Sequence, residues 1–292
     1  IGPPYAQKQV KMYEGRIEAL ESICGYLTKQ NEKYVIMTDS NVAVNFDFND
    51  LLHAHMASGA DATVVYRKQE IPDSLIRKST ETVDMYYALG INGDHVSKIY
   101  VNPTEKGKMN FCLNIYVMER ERLIRMIDDA YVHGYTNFVR DILERQIEHL
   151  DVRGYCYDGY VAQIHDMKSY FEENMKLLQE ENLNALFSGN QIYTKIRDDN
   201  PTRYINGSKA KNIMVADGCV IEGEVENSVL FRGVRIGKGA KVKNCVLMQD
   251  TVVEDNASVE YVITDKDVTI TEGKSLTGND SFQVFVAKGQ TV

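Results

Sequence analysis

No stretch of this sequence approaches the roughly 18 consecutive apolar residues of a membrane-spanning helix, and its opening, IGPPYAQKQV, lacks the charged-then-apolar pattern of a secretory signal. Basic clusters are missing as well. There is no run of five or more Lys or Arg, and a net charge of −9 with a pI near 5.3 leaves no electrostatic footprint for nucleic acid or an anionic membrane surface. Cysteine is sparse: Cys24, Cys112, Cys156, Cys219 and Cys245 are odd in number, widely spread and without a C-x-x-C pair. Neither a disulfide framework nor a zinc cluster is implied, and a reducing, cytoplasmic setting fits best. What is present suffices for folding. The 292 residues are 43% hydrophobic, enough for two packed domains at roughly 100 to 200 residues each. The first residue is Ile rather than Met, so the chain is expected to be a fragment.

The two halves have different rhythms. From Gly15 to Gln30, Ile17, Leu20, Ile23, Cys24 and Leu27 recur at three- and four-residue steps, predicting an amphipathic helix that feeds the strand YVIMT. FNDLLHAHMASGAD then reads as a helix with Asp47 as N-cap and Gly59 as its stop. The strand ATVVYR, the helical stretches ERERLIRMIDDA, NFVRDILERQIEHL and DMKSYFEENMKLLQEE, and the strand NFCLNIYVM continue the alternation. That pattern predicts an α/β domain with a largely parallel sheet.

Near Asn200 and Pro201 the helical patterns stop. Aliphatic residues six apart now recur as Val215/Ile221, Ile236/Val242, Val253/Val259 and Ile270/Leu276. A six-residue side used three times makes a triangular coil of about 18 residues whose aliphatic side chains share one core, with Gly237, Gly239, Gly273 and Gly278 at corners. An antiparallel β domain would instead show hairpin turns and two-residue alternation. The expected division is residues 1–185 as an α/β domain, 186–205 as linker and 206–292 as a parallel β-helix. All six histidines precede the repeat, so histidine-based acyl transfer on the coil is not expected.

Asp39 interrupts YVIMTDSNVAV where a strand should end, which is where open α/β sheets bind ligands. From the residues alone, metal ligand and turn cap both remain open.

Five segments in order carry a resemblance. MYEGRIEAL is similar to W-Y-x-G-T-A-D-A-V, VIMTDSNVAV to an apolar strand ending G-D-H, CLNIYVM to S-M-G-I-Y-V-F, and GYVAQIHDMKSY to G-Y-W-x-D-V-G-T-x-x-x-Y. The stretch from Val225 to Lys266 is similar to S-V-L-x-x-G-V-x-I-G-x-G-A-x-V followed by I-I-D-K. These are motifs of the glucose-1-phosphate adenylyltransferase family, which the chain resembles over nearly its whole length. The resemblance implies a nucleotide-diphospho-sugar transferase domain (GT-A, Rossmann-like α/β) followed by a left-handed parallel β-helix. It implies an activity that joins ATP and glucose 1-phosphate into ADP-glucose and pyrophosphate with Mg²⁺. It also implies a sugar-nucleotide pocket at Glu14, Gly15, Asp39, Cys112, Asn114 and Tyr160, with Asp39 as a residual metal ligand.

The departures from the motifs fall on charged positions. Gln163 stands where the family has its second metal-binding Asp, and Val101 and Asn102 stand where E-K-P supplies the lysine for the sugar phosphate; Lys106 or Lys108 is a candidate substitute. Thr38, Ser40 and Asn114 replace Gly, His and Gly, and Arg16, Ile17 and Glu18 replace Thr, Ala and Asp. Side chains at 38 and 114 are expected to crowd the pocket. The family's G-G-x-G-T-R-L phosphate loop does not occur, so a truncated or cleaved chain is expected. A kept framework with lost charges resembles the family's noncatalytic regulatory subunit, which implies glycogen synthesis and a heterotetramer with a catalytic homologue. Two rivals remain: a weakly active transferase that recruits Asp141 or Asp166, and a sugar-nucleotide sensor.

Overall fold

The computed structural model describes residues 13, 15–71, 75–76, 86–189, 192–193 and 198–292. They form two compact units, one of residues up to Val42 with Phe46–Gly159, the other of Ala43–Asn45 with Tyr160–Val292.

The first unit is built on a six-stranded sheet. Its strands are β1 (Tyr34–Thr38), β3 (Ala62–Glu70), β4 (Tyr87–Asn92), β5 (His95–Val101), β6 (Lys108–Glu119) and β7 (Val152–Cys156), in the order β1-β6-β3-β7-β5-β4. β2 is the short strand Val42–Val44. The largely parallel sheet predicted above is not found. Only β3 and β7 pair in parallel; β6 runs antiparallel to both β1 and β3, and β5 runs antiparallel to β4 and β7. Alternation of helix and strand does not encode direction, and the long β6 is inserted between strands that would otherwise be parallel neighbours.

Helices cover both faces. α1 (Arg16–Ser22), α2 (Cys24–Leu27) and α4 (Arg120–Val132) lie on the face shown by Ala62, Val64, Tyr66, Tyr116 and Met118, where Ile17, Leu123, Ile127 and Ala130 are fully buried. α3 (Phe48–Ser58) lies on the other face, its buried His55 bonded to Thr63 at 2.8 Å. It starts and stops as its sequence predicts: the Asp47 carboxylate accepts the Asn49 N–H, and Gly59 takes the left-handed conformation at φ 66°. The helix predicted over 15–30 is broken at Ile23, whose φ of −105° and ψ of 2° separate α1 from α2. NFVRDILERQIEHL forms a π-helical turn at Val139–Glu144 in place of a regular helix.

In the second unit, β8 (Val161–Gln163) pairs with β2, and α5 (Met167–Lys176) and α6 (Glu180–Phe187) follow. α5 opens with a capping box between Asp166 and Ser169. Its Phe171 packs on Val229, Val246 and Ile263, which point outward from the coil.

The coil is a parallel β-helix with three stacked columns. Ile221, Ile236, Val253 and Ile270 form one, Val225, Val242, Val259 and Leu276 the second, and Val215, Leu230, Leu247, Thr264 and Val286 the third. The middle turns advance 17 residues, as from Ile236 to Val253 to Ile270, one fewer than a strict hexapeptide triplet, whereas Ile221 to Ile236 is 15 and Thr264 to Val286 is 22. One corner is a ladder of Asn212, Asn227 and Asn244, all at positive φ, each amide donating to the next. Asparagine tolerates the left-handed conformation and here satisfies its amide along the stack.

Candidate functional site

Three elements of the first unit converge at the end of β1. Its last pair on β6 is Thr38 with Ile115, and Asp39 follows directly. Between the β3 to β6 pairs Val64/Tyr116 and Tyr66/Cys112, β3 has one residue and β6 has three. Asn114 sits in that bulge at φ 55°, a left-handed conformation that asparagine accepts more readily than most residues.

The Asn114 side chain fills space. Asn114 Oδ1 accepts the Tyr116 hydroxyl at 2.8 Å, and the Tyr116 hydroxyl lies 3.4 Å from Cys112 Sγ, which also accepts the Asn114 N–H. Burial pushes the Cys112 thiol up and holds the Tyr116 phenol well above its ordinary range, so both are neutral hydrogen-bonding groups. Thr38, in contrast, is exposed.

The third element is the start of α1. The Ile17 N–H donates to the Thr136 carbonyl at 3.2 Å, and a Cβ added at Gly15 would lie 2.3 Å from that oxygen, so only glycine lets α1 dock here. Docking aims Arg16 inward. Its Nη2 donates to both Asp39 carboxylate oxygens, at 2.5 and 2.7 Å, and its guanidinium carbon lies 5.8 Å from the centre of the Tyr116 ring. Both partners are 28% exposed. Burial works against the charge on Arg16, yet its pKa is raised, with Asp39 the ionised neighbour that favours the charge. Motif comparison marked Arg16 only as a replacement for Thr. The available signal was a cation entering a segment that also carries a pocket glycine.

The structure brings Gly15, Asp39, Cys112 and Asn114 around Arg16 and Tyr116 in the first unit. Glu14 lies outside the described residues. Tyr160 belongs to the second unit, where its hydroxyl donates to Glu173 on α5 at 2.9 Å, and Gln163 closes β8 there. Asn102 has a turn-forming role at φ 47°: its N–H donates to the Tyr86 carbonyl and its Oδ1 accepts the Tyr86 N–H, both at 2.9 Å. Lys106 and Lys108 are exposed.

The donors do not fit magnesium. A hard, hydrated ion needs carboxylate oxygens free to face it, and both oxygens of Asp39 are engaged by a fixed cation. No group of three or more His, Cys, Asp or Glu among the described residues is arranged for a metal. The acids considered as substitutes are engaged elsewhere. Asp141 accepts Thr136 and Asn137 N–H groups and two bonds from Arg140, which hold its carboxyl down at about 2. Asp166 caps α5.

Residues 196–283 match the family model described as GlmU-like, C-terminal hexapeptide. The chain is 30% identical over 265 residues to "Glycogen biosynthesis protein GlgD" of Bacillus subtilis, covering 90% of the chain and 65% of that protein. It is 30% identical over 247 residues to "Glucose-1-phosphate adenylyltransferase" of Geobacillus stearothermophilus, covering 82% of the chain and 62% of that enzyme. A Bacillus cytotoxicus protein of the same name is 26% identical over 98% of the chain. Over most of its length the chain is similar to proteins named for glycogen biosynthesis and for glucose-1-phosphate adenylyltransferase. It spans less than two thirds of the first two relatives' length. The stretch that matches the hexapeptide model holds most of the parallel coil, which follows an α/β domain of nucleotidyltransferase-like type. All five cysteines are free, and no helix among the described residues is long and apolar enough to cross a membrane.

Proposed function

We propose that this chain is a regulatory subunit of glucose-1-phosphate adenylyltransferase in glycogen biosynthesis, modulating a catalytic homologue and turning over little or no substrate itself. The observation that carries the proposal is Arg16: the acid that the chain keeps at the catalytic end of β1 has both oxygens bonded to an internal cation. The similarity to a protein named for glycogen biosynthesis supports the pathway.

Adenylyl transfer from ATP to glucose 1-phosphate builds negative charge around the α-phosphorus, and an enzyme must meet it with fixed cations. Gln163 brings an uncharged amide to a position where the family has a carboxylate for the ion. Asn102, at the position of the sugar-phosphate lysine, has its backbone and amide oxygen engaged with Tyr86. Asn114, Tyr116 and Arg16 fill space beside Asp39, which supports weak ATP, glucose 1-phosphate or ADP-glucose binding at most.

The chain acts instead through contact with its homologue in a cytoplasmic heterotetramer. Association that favours the homologue's active state by about 1–3 kcal/mol changes its apparent effector or substrate affinity by roughly 5- to 150-fold. The test compares ADP-glucose formation by the full-length protein alone, the homologue alone and the mixture. The expected result is negligible turnover alone and an altered rate or effector response in the mixture. Turnover alone comparable to the homologue's, or an unchanged mixture, overturns the proposal. Light scattering of the mixture separates this function from a stand-alone sensor, which would form only homo-oligomers.

A further inference from the structure

We propose that Arg16 is the resident counterion of Asp39 and keeps divalent metal off this carboxylate, so that the family's metal position is a metal-free ion pair in this chain.

The geometry is specific. One nitrogen, Nη2, reaches both carboxylate oxygens, at 2.5 and 2.7 Å, and so takes the chelating position between them that a bidentate cation would need. Arg16 is held from several sides. Its guanidinium sits by the Tyr116 ring, whose hydroxyl is fixed on Asn114. Its backbone starts α1, pinned by the Ile17 N–H on Thr136 and by the close approach of Gly15 to the same carbonyl. Asp39 is fixed from its own side by β1, paired with β6 up to Thr38.

Chemistry favours the arginine over a metal. A guanidinium stays charged at every accessible pH and is weakly hydrated, so it enters a half-buried site at lower desolvation cost than a compact ion. Mg²⁺ holds its waters tightly and requires near-octahedral oxygen ligation, usually with more than one anionic donor. Beside Arg16 it would meet a like charge and one carboxylate already bonded. The pair therefore does the electrostatic work of a bound ion, neutralising Asp39 and tying the end of β1 to α1, with no dependence on metal supply.

This inference does not rest on the regulatory function: a chain that leaves its homologue's rate untouched still keeps metal off Asp39. The test uses the full-length protein and Mn²⁺ as probe, with free ion followed by electron paramagnetic resonance. Wild type and Asp39→Asn should bind Mn²⁺ alike. Arg16→Thr should bind at least fivefold tighter than wild type, Arg16→Thr with Asp39→Asn should return to the wild-type level, and Arg16→Lys should stay there. A fivefold or greater loss of Mn²⁺ affinity on Asp39→Asn in the otherwise wild-type protein overturns the proposal, as does an Arg16→Thr variant that folds and gains nothing. Should Arg16→Thr fail to fold, the comparison of wild type with Asp39→Asn decides alone.

Discussion

Replacing Asp141 by Asn should remove a pH-dependent part of the stability of the first unit. Asp141 is 4% exposed, and its carboxylate accepts two backbone N–H groups, from Thr136 and Asn137, and two bonds from Arg140. Hydrogen bonds from Arg140 lead the causes that hold its carboxyl down at about 2, against 3.8 for an unperturbed Asp; burial opposes them less strongly. The folded-state pKa is the lower one, so the stabilisation is fully present above about pH 4 and is lost as pH falls through about 2. Linkage between those two values gives about 2 kcal/mol at pH 6 and about 1 kcal/mol at pH 3. Urea unfolding of wild type and Asp141→Asn at both pH values isolates the contribution, because every other titrating group is common to the pair. The expected stability gap roughly halves between pH 6 and pH 3. A gap of equal size at both pH values would refute the account of Asp141 as an ionised, structurally engaged carboxylate. So would a carboxyl resonance that titrates near 4.

Gly15→Ala should cost about 1–3 kcal/mol by pushing α1 off the Thr136 carbonyl 2.3 Å from the new Cβ, measured as a lowered urea midpoint. Asn114→Gly should cost about 1 kcal/mol, the lost acceptor for Tyr116, whereas Asn114→Val adds about 1–2 kcal/mol of left-handed strain; equal losses would contradict the bulge assignment. In the coil, Leu247→Ala empties a fully buried rung and should cost about 2–5 kcal/mol by calorimetry, with little change if the columns were not stacked as described. Chelation with EDTA should leave the melting temperature of the wild-type protein unchanged, since Arg16 rather than a metal neutralises Asp39.

The β-helix was legible because each coil repeats the same burial: Ile236, Val253 and Ile270 mark a column directly in the spacing. The coil's true advance was partly legible too, since the pairs beginning at Ile236, Val253 and Ile270 already stood 17 residues apart. Local capping was equally readable at Asp47 and Gly59, where the side chain and the backbone conformation are set within one turn. Strand direction was not. Apolar spacing in NFCLNIYVM shows a buried strand but not that β6 runs against β1 and β3, which long-range pairing decides. The site was readable as positions and not as contacts. Motif comparison singled out Asp39 and Asn114, but the bond from Arg16 joins residues 23 apart on different elements and depends on how Gly15 docks α1. Asp141 had an acid's potential as a ligand; its fate was set by the turn of Thr136 to Arg140 that folds around it.

The most direct measurement titrates the full-length protein into a fixed concentration of its catalytic homologue and follows ADP-glucose formation. A saturable change in rate or effector response, with no product formed by the protein alone, is the predicted result. A response that stays flat, or that rises without saturation because the protein itself turns over substrate, would contradict the regulatory function.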